Sequence, residues 1–166
     1  MTTKPINVLF LCTHNSARSI LAEALLNSLS HGRFKAYSAG SSPCENQQLN
    51  PLSLQVLQHA GIATEGLRSK SWDEFAAPDA PQMDLIITVC DNAAGEVCPV
   101  WPGHPATAHW GFPDPSAGDA PDAVKLESFR QTLYAMNLRL ELLCSLPMEK
   151  LAKLTLQTTA RKLAQA

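Results

Sequence analysis

The chain has 166 residues, 45% apolar and only 17% charged, with a net charge of −2 at neutral pH. One domain of this length and composition buries a core without help from disulfides, which excludes a disordered or fibrous chain. The weak charge gives no footprint for nucleic acid or an anionic membrane surface. No apolar run reaches a membrane span, and the run ending before Thr13 is too short for a signal peptide, so a cytoplasmic protein is expected.

In chain order, Ile6 to Leu11 has the continuous apolar character of a strand buried on both faces. Ser16 to Ser30 follows as a helix with Leu21, Leu25 and Leu29 on one side. Phe34 to Ser38 is a second short strand ended by Ala39-Gly40. Asn50 and Pro51 supply an N-cap and a first helical residue, and Gly61 supplies the left-handed stop. A short helix is expected near Ser71 to Phe75, and Asp84 to Cys90 (DLIITVC) is the clearest strand. Turn formers make residues 91–105 a long loop, before a fourth strand at Ala106 to Trp110. Asp119 with Pro121 opens a long helix on which Phe129, Leu133, Met136, Leu140 and Leu143 repeat at four-three-four-three spacing. Residues 1–146 form the domain, and residues 147–166 form a C-terminal helical extension or tail.

Strands that alternate with helices imply an α/β, three-layer fold on a four-stranded parallel sheet of flavodoxin-like type. In such a sheet, ligands bind beyond the carboxyl ends of the strands. Cys12, Ser38, Cys90 and Asp114 all fall at or just beyond a strand's carboxyl end, and so at one edge.

The stretch CTHNSARS links the first strand to the first helix. A tight turn into a helix N-terminus aims several backbone N–H groups at one point, which suits a tetrahedral oxyanion. Thr13, His14, Asn15, Ser16, Ala17, Arg18 and Ser19 are the candidate oxyanion-binding residues. Arg18 holds two oxygens with one planar fork, and Asn15 suits a left-handed turn position. Cys12 faces the same donors, so its thiolate is favoured as a nucleophile.

CTHNSARS, the Asp114-Pro115 pair, the helix ending in HAGI and the RSKSW segment together resemble the low-molecular-weight tyrosine phosphatase superfamily over about residues 6–146. That superfamily contains both phosphatases and arsenate reductases. The resemblance implies its phosphatase fold, Cys12 as nucleophile, Arg18 as oxyanion holder and Asp114 as acid. It also likens Cys90 and Cys98 to the redox cysteines of arsenate reductases that work by an intramolecular disulfide cascade. Ser116-Ala117 after the DP pair and Ile20 after Arg18-Ser19 depart from the phosphatases, which carry aromatic residues and a proline there. Ala17 stands where many relatives carry a second loop cysteine.

The resulting expectation is reduction of arsenate to arsenite, with arsenate or phosphate-like oxyanions as ligands. No bound cofactor is expected, and the external thiol reductant is thioredoxin or glutathione with glutaredoxin. Asn15, Glu23 and Ser38 match positions that bind potassium in some relatives. Two alternatives stay open. One is a tyrosine phosphatase, and the other is a non-catalytic oxyanion- or metal-binding module that uses Cys90, Cys98, His104 and His109 as zinc ligands.

Overall fold

The computed structural model describes residues 5–43, 46, 48–89, 105–146, 160, 161 and 164. Among them, strands β1 (Ile6–Cys12), β2 (Phe34–Gly40), β3 (Leu85–Thr88) and β4 (Ala106–His109) form one sheet in the order β2-β1-β3-β4. Every pairing is parallel. The helices are α1 (Arg18–Leu29), α2 (Pro51–His59), the single turn α3 (Asp73–Ala76) and α4 (Asp122–Cys144). The parallel α/β architecture expected from the alternating pattern is present.

Alternation along β1 divides the core. Val8, Phe10 and Cys12 join the larger cluster with α1, α2 and α4, while Leu9 and Leu11 face Phe75, Met83 and Trp72 on the other side. The second outer layer is thin among the described residues, consisting of α3 and the segment around it. Helix α1 buries Ile20, Leu21, Ala22, Ala24, Leu25 and Leu26, more than a single stripe, because both the sheet and α4 cover it.

Several expected boundaries shift. Helix α1 begins at Arg18 rather than Ser16, since residues 13–17 make the turn. Strand β2 runs two residues past Ser38, to Gly40, because Gly40 still pairs with Cys12. Helix α4 begins at Asp122 rather than Asp119, with Pro121 as its extended cap residue. Asn50 caps α2 as expected, its side chain accepting from Leu52 N, and Gly61 takes the left-handed φ of +73°. All five core residues expected on α4 are buried.

In the tail, Ala160 is buried in the main core, and its carbonyl accepts a 2.8 Å hydrogen bond from the Trp110 indole. Ala164 packs against the same cluster.

Candidate active site

The register brings the carboxyl ends of the strands together. Cys12 pairs with Gly40, Leu11 with Thr88, and Thr88 with His109. Strand β1 lies where the chain turns one way to β2 and the other way to β3, the switch point at which open α/β sheets bind ligands.

Carbonyl orientation explains what the loop after Cys12 can do. The Cys12 and Thr13 carbonyls accept from Ser41 N and Ser42 N. The His14 carbonyl accepts from the Ser69 hydroxyl, and that of Ser16 from Asn50 N and the Ser53 hydroxyl. In a trans peptide the N–H points opposite to the preceding C=O. Anchoring these carbonyls outward therefore turns the amides of Thr13, His14, Asn15 and Ala17 toward the concave side. Asn15 adopts φ +52°, the left-handed conformation expected for it, and is fully buried. Its side chain donates to Ser19 Oγ at 2.7 Å and accepts from Lys70 N at 3.0 Å. Because the Ser19 hydroxyl accepts from Asn15, its own proton remains to be donated.

Among the described residues no side chain caps α1, whose cap residue is Ala17. The first-turn donors of α1 thus lack the usual side-chain acceptor, and an anion can take that place. Arg18 adds charge at the same point. Its Nη1 donates to the Phe112 carbonyl at 2.8 Å, and its Nη2 lies 3.9 Å from Asp114 Oδ2. Its Nε is buried without a partner among the described residues. A buried donor left unpaired is costly, and an oxyanion oxygen would satisfy it.

Asp114 lies across from Arg18 on the turn after β4, and its side chain is 41% exposed. Partial burial raises its pKa, but the Ser116 hydroxyl and amide at 2.7 and 2.9 Å, then Arg18 and His14, outweigh burial and hold it below its ordinary value. At neutral pH it is therefore a carboxylate. An oxyanion seated against Arg18 would repel that charge and favour its protonation, and one entering as a monoanion would bring the proton with it.

Gly40 and the segment 68–71 contribute in ways the sequence does not flag. A Cβ on Gly40 would lie 2.5 Å from the Thr13 carbonyl oxygen and 3.0 Å from Asn15 N, so only glycine lets β2 pass this close to the loop. Gly40→Ala should destabilise the protein by about 1–3 kcal/mol. It should also weaken phosphate binding, as measured by thermal unfolding and phosphate titration. Unchanged phosphate affinity would show that the loop does not depend on this approach.

Of the candidate potassium ligands, Asn15 belongs to the loop itself, whereas Glu23 and Ser38 meet beside Lys70, whose amide holds the Asn15 side chain. Ser38 donates to Glu23 Oε1 at 2.5 Å, and Lys70 Nζ is 3.7 Å from the same oxygen. Burial raises the Glu23 pKa against opposing effects of Lys70 and Ser38, and burial lowers that of Lys70 against the attraction of Glu23.

Cys90, Cys98 and His104 lie outside the described residues. Val89, just before Cys90, is fully buried, and its amide donates to the Leu11 carbonyl at 2.9 Å, one residue before Cys12. His109 Nδ1 meets the Thr88 hydroxyl at 2.7 Å. Among the described residues, no group of three or more His, Cys, Asp or Glu side chains is placed to hold a metal ion. Among those residues no helix is long and apolar enough to cross a membrane.

These features gather a cysteine, an arginine and an opposed carboxylate around one loop of a parallel α/β sheet, an arrangement suited to an oxyanion. The family model of the low molecular weight phosphotyrosine protein phosphatase matches residues 7–155, and the chain belongs to that family. It is 33% identical over 134 residues to a protein of Bacillus subtilis (strain 168) named arsenate reductase, covering 81% of this chain and 91% of that one. A crystal structure of an arsenate reductase from Archaeoglobus fulgidus is also similar, with TM-score 0.64 and 29% identity over 84% of this chain and 99% of that one. A low molecular weight protein tyrosine phosphatase from T. tengcongensis shares the fold, with TM-score 0.68 and 23% identity over 85% of this chain and 99% of that one.

Proposed function

We propose that the protein reduces arsenate to arsenite in the reducing cytoplasm. The observation that carries this reading is the outward-anchored loop between Cys12 and Arg18, with an Arg18 Nε buried and unpaired among the described residues, in a chain whose similar relatives are named arsenate reductase. The loop amides and Arg18 hold three oxygens while the Cys12 thiolate attacks arsenic. Asp114 hands a proton to the departing oxygen, which leaves as water. Cys90 then attacks the Cys12 sulfur, the S–As bonding pair stays on arsenic as it falls from As(V) to As(III), and a Cys12–Cys90 disulfide remains. Cys98 attacks Cys90, frees Cys12 and moves the disulfide outward to a thioredoxin or glutathione/glutaredoxin donor. The position of Val89 against Leu11 supports an approach of Cys90 to Cys12.

The decisive experiment measures arsenate-dependent NADPH oxidation with thioredoxin and with glutaredoxin plus glutathione, beside hydrolysis of an aryl phosphate. Reduction at rates well above hydrolysis supports the reading. Efficient hydrolysis without arsenate reduction makes the protein a phosphatase.

Cys98→Ser tests the relay separately. It should release about one arsenite per protein and then stall as a Cys12–Cys90 disulfide, since two thiols suffice for a single exchange. After one turnover without donor, peptide mapping of the unmodified protein should find Cys90 joined to Cys98. Normal turnover of Cys98→Ser with thioredoxin would eliminate the third cysteine from the mechanism.

A further inference from the structure

The Lys70 side chain is only 7% exposed, and its ammonium lies among oxygens of the kinds that bind a hard monovalent cation. It donates to the Arg68 carbonyl at 2.9 Å and lies 3.7 Å from Glu23 Oε1, the carboxylate oxygen that also accepts from Ser38. The same residue and its neighbour hold the oxyanion loop. Lys70 N donates to Asn15 Oδ1, Ser69 donates to the His14 carbonyl, and Gly40 N donates to the Lys70 carbonyl at 2.9 Å. A potassium ion at Glu23 does not fit beside this ammonium, because two cations would share one carboxylate at close range in a desolvated site.

We propose that Lys70 is a built-in counter-ion that takes the place of an alkali metal ion at Glu23 and acts as a positioning residue for the oxyanion loop. The positioning role rests on the oxyanion-site reading, whereas the counter-ion role does not. Truncating Lys70 removes the cation that favours the Glu23 carboxylate and leaves that buried group without its counter-charge, beside a cavity of about 340 Å³ lined by Glu23, Asn27, Gly61 and Glu65. Through that opening a free cation can reach the carboxylate once the ammonium is gone.

Thermal unfolding of the full chain in KCl and in choline chloride at equal ionic strength provides the test. The unmodified protein should melt at the same temperature in both salts. Lys70→Met should melt about 10 °C lower in choline chloride, as expected when one member of a buried pair is removed, and recover selectively in KCl. The double variant Lys70→Met/Glu23→Gln, which buries neither charge, should melt near the unmodified protein and ignore potassium. Phosphate affinity of Lys70→Met should fall several-fold in choline chloride and return in KCl, a rescue that a purely structural lysine would not show. Selective stabilisation of the unmodified protein by potassium would overturn the proposal, because the metal would then bind beside Lys70. Equal melting of Lys70→Met in both salts would overturn it too, as would failure of that variant to fold in either salt. Loss of potassium-rescued phosphate binding with the melting pattern intact would sink the positioning role alone. Absence of arsenate reduction would leave the melting pattern untouched.

Discussion

Cys12→Ser should lose arsenate reduction and aryl-phosphate hydrolysis by on the order of 10⁴-fold or more, as removal of a nucleophile does when the rest of a site acts with it. The serine hydroxyl does not ionise near neutral pH, so attack on arsenic or phosphorus fails at the first step. Under the proposed relay, reduction fails a second time, because the Cys12 sulfur would later enter a disulfide and oxygen cannot. Cys12 is buried at the end of β1 in the main core, yet its neighbours along the loop are polar. Stability should therefore change by no more than about 1 kcal/mol. Phosphate should still bind, because the amides and Arg18 are unchanged. Steady-state rates, equilibrium unfolding and phosphate titration together check the result. Appreciable arsenate turnover in this variant would place the nucleophile elsewhere.

Arg18→Lys should cost about 10²–10³-fold in activity although the charge is kept, the scale of losing one donor to a developing oxyanion. The guanidinium now does three things at once. One nitrogen fixes the Phe112 carbonyl at 2.8 Å, another lies toward Asp114, and the third is buried without a partner among the described residues. A lysine presents one point charge and cannot span the Phe112 carbonyl and two substrate oxygens together. The loss of the Phe112 anchor should also loosen the turn that carries Asp114. Both kcat and the apparent affinity for phosphate should therefore fall. If Arg18→Lys kept phosphate affinity and lost only kcat, Arg18 would act on the transition state without holding the bound ion.

Arg139, half-buried on α4, supports this side of the site. Its guanidinium stacks over Phe112 at 4.8 Å and over Trp110 at 5.6 Å. The Trp110 indole in turn donates to the Ala160 carbonyl, so Ala160 contacts the residue that follows β4 and leads toward the turn that carries Asp114.

What the sequence determined by itself is local. The buried β1 run, the turn residues between Cys12 and Arg18, the left-handed Asn15, the Asn50 cap and the four-three spacing on α4 each involve neighbours in the chain. Such contacts follow from backbone sterics and helical periodicity, whatever the distant residues do. Cys12 and Arg18 were legible from the strand, turn and helix start that enclose them, and Asp114 from the resemblance that the Asp114-Pro115 pair carries. Tertiary structure alone decided the rest. Ser41, Ser42, Ser53 and Ser69 read as ordinary polar residues in the chain, and they are donors to the loop only because the fold brings them there. Gly40 reads as a strand end, but its missing Cβ is what lets β2 approach Thr13 and Asn15. Lys70 sits in RSKSW like a surface lysine, and 47 positions of sequence separate it from the Glu23 carboxylate it meets. A charge of that kind is ordinarily solvated, and only burial against a carboxylate converts it into part of the site.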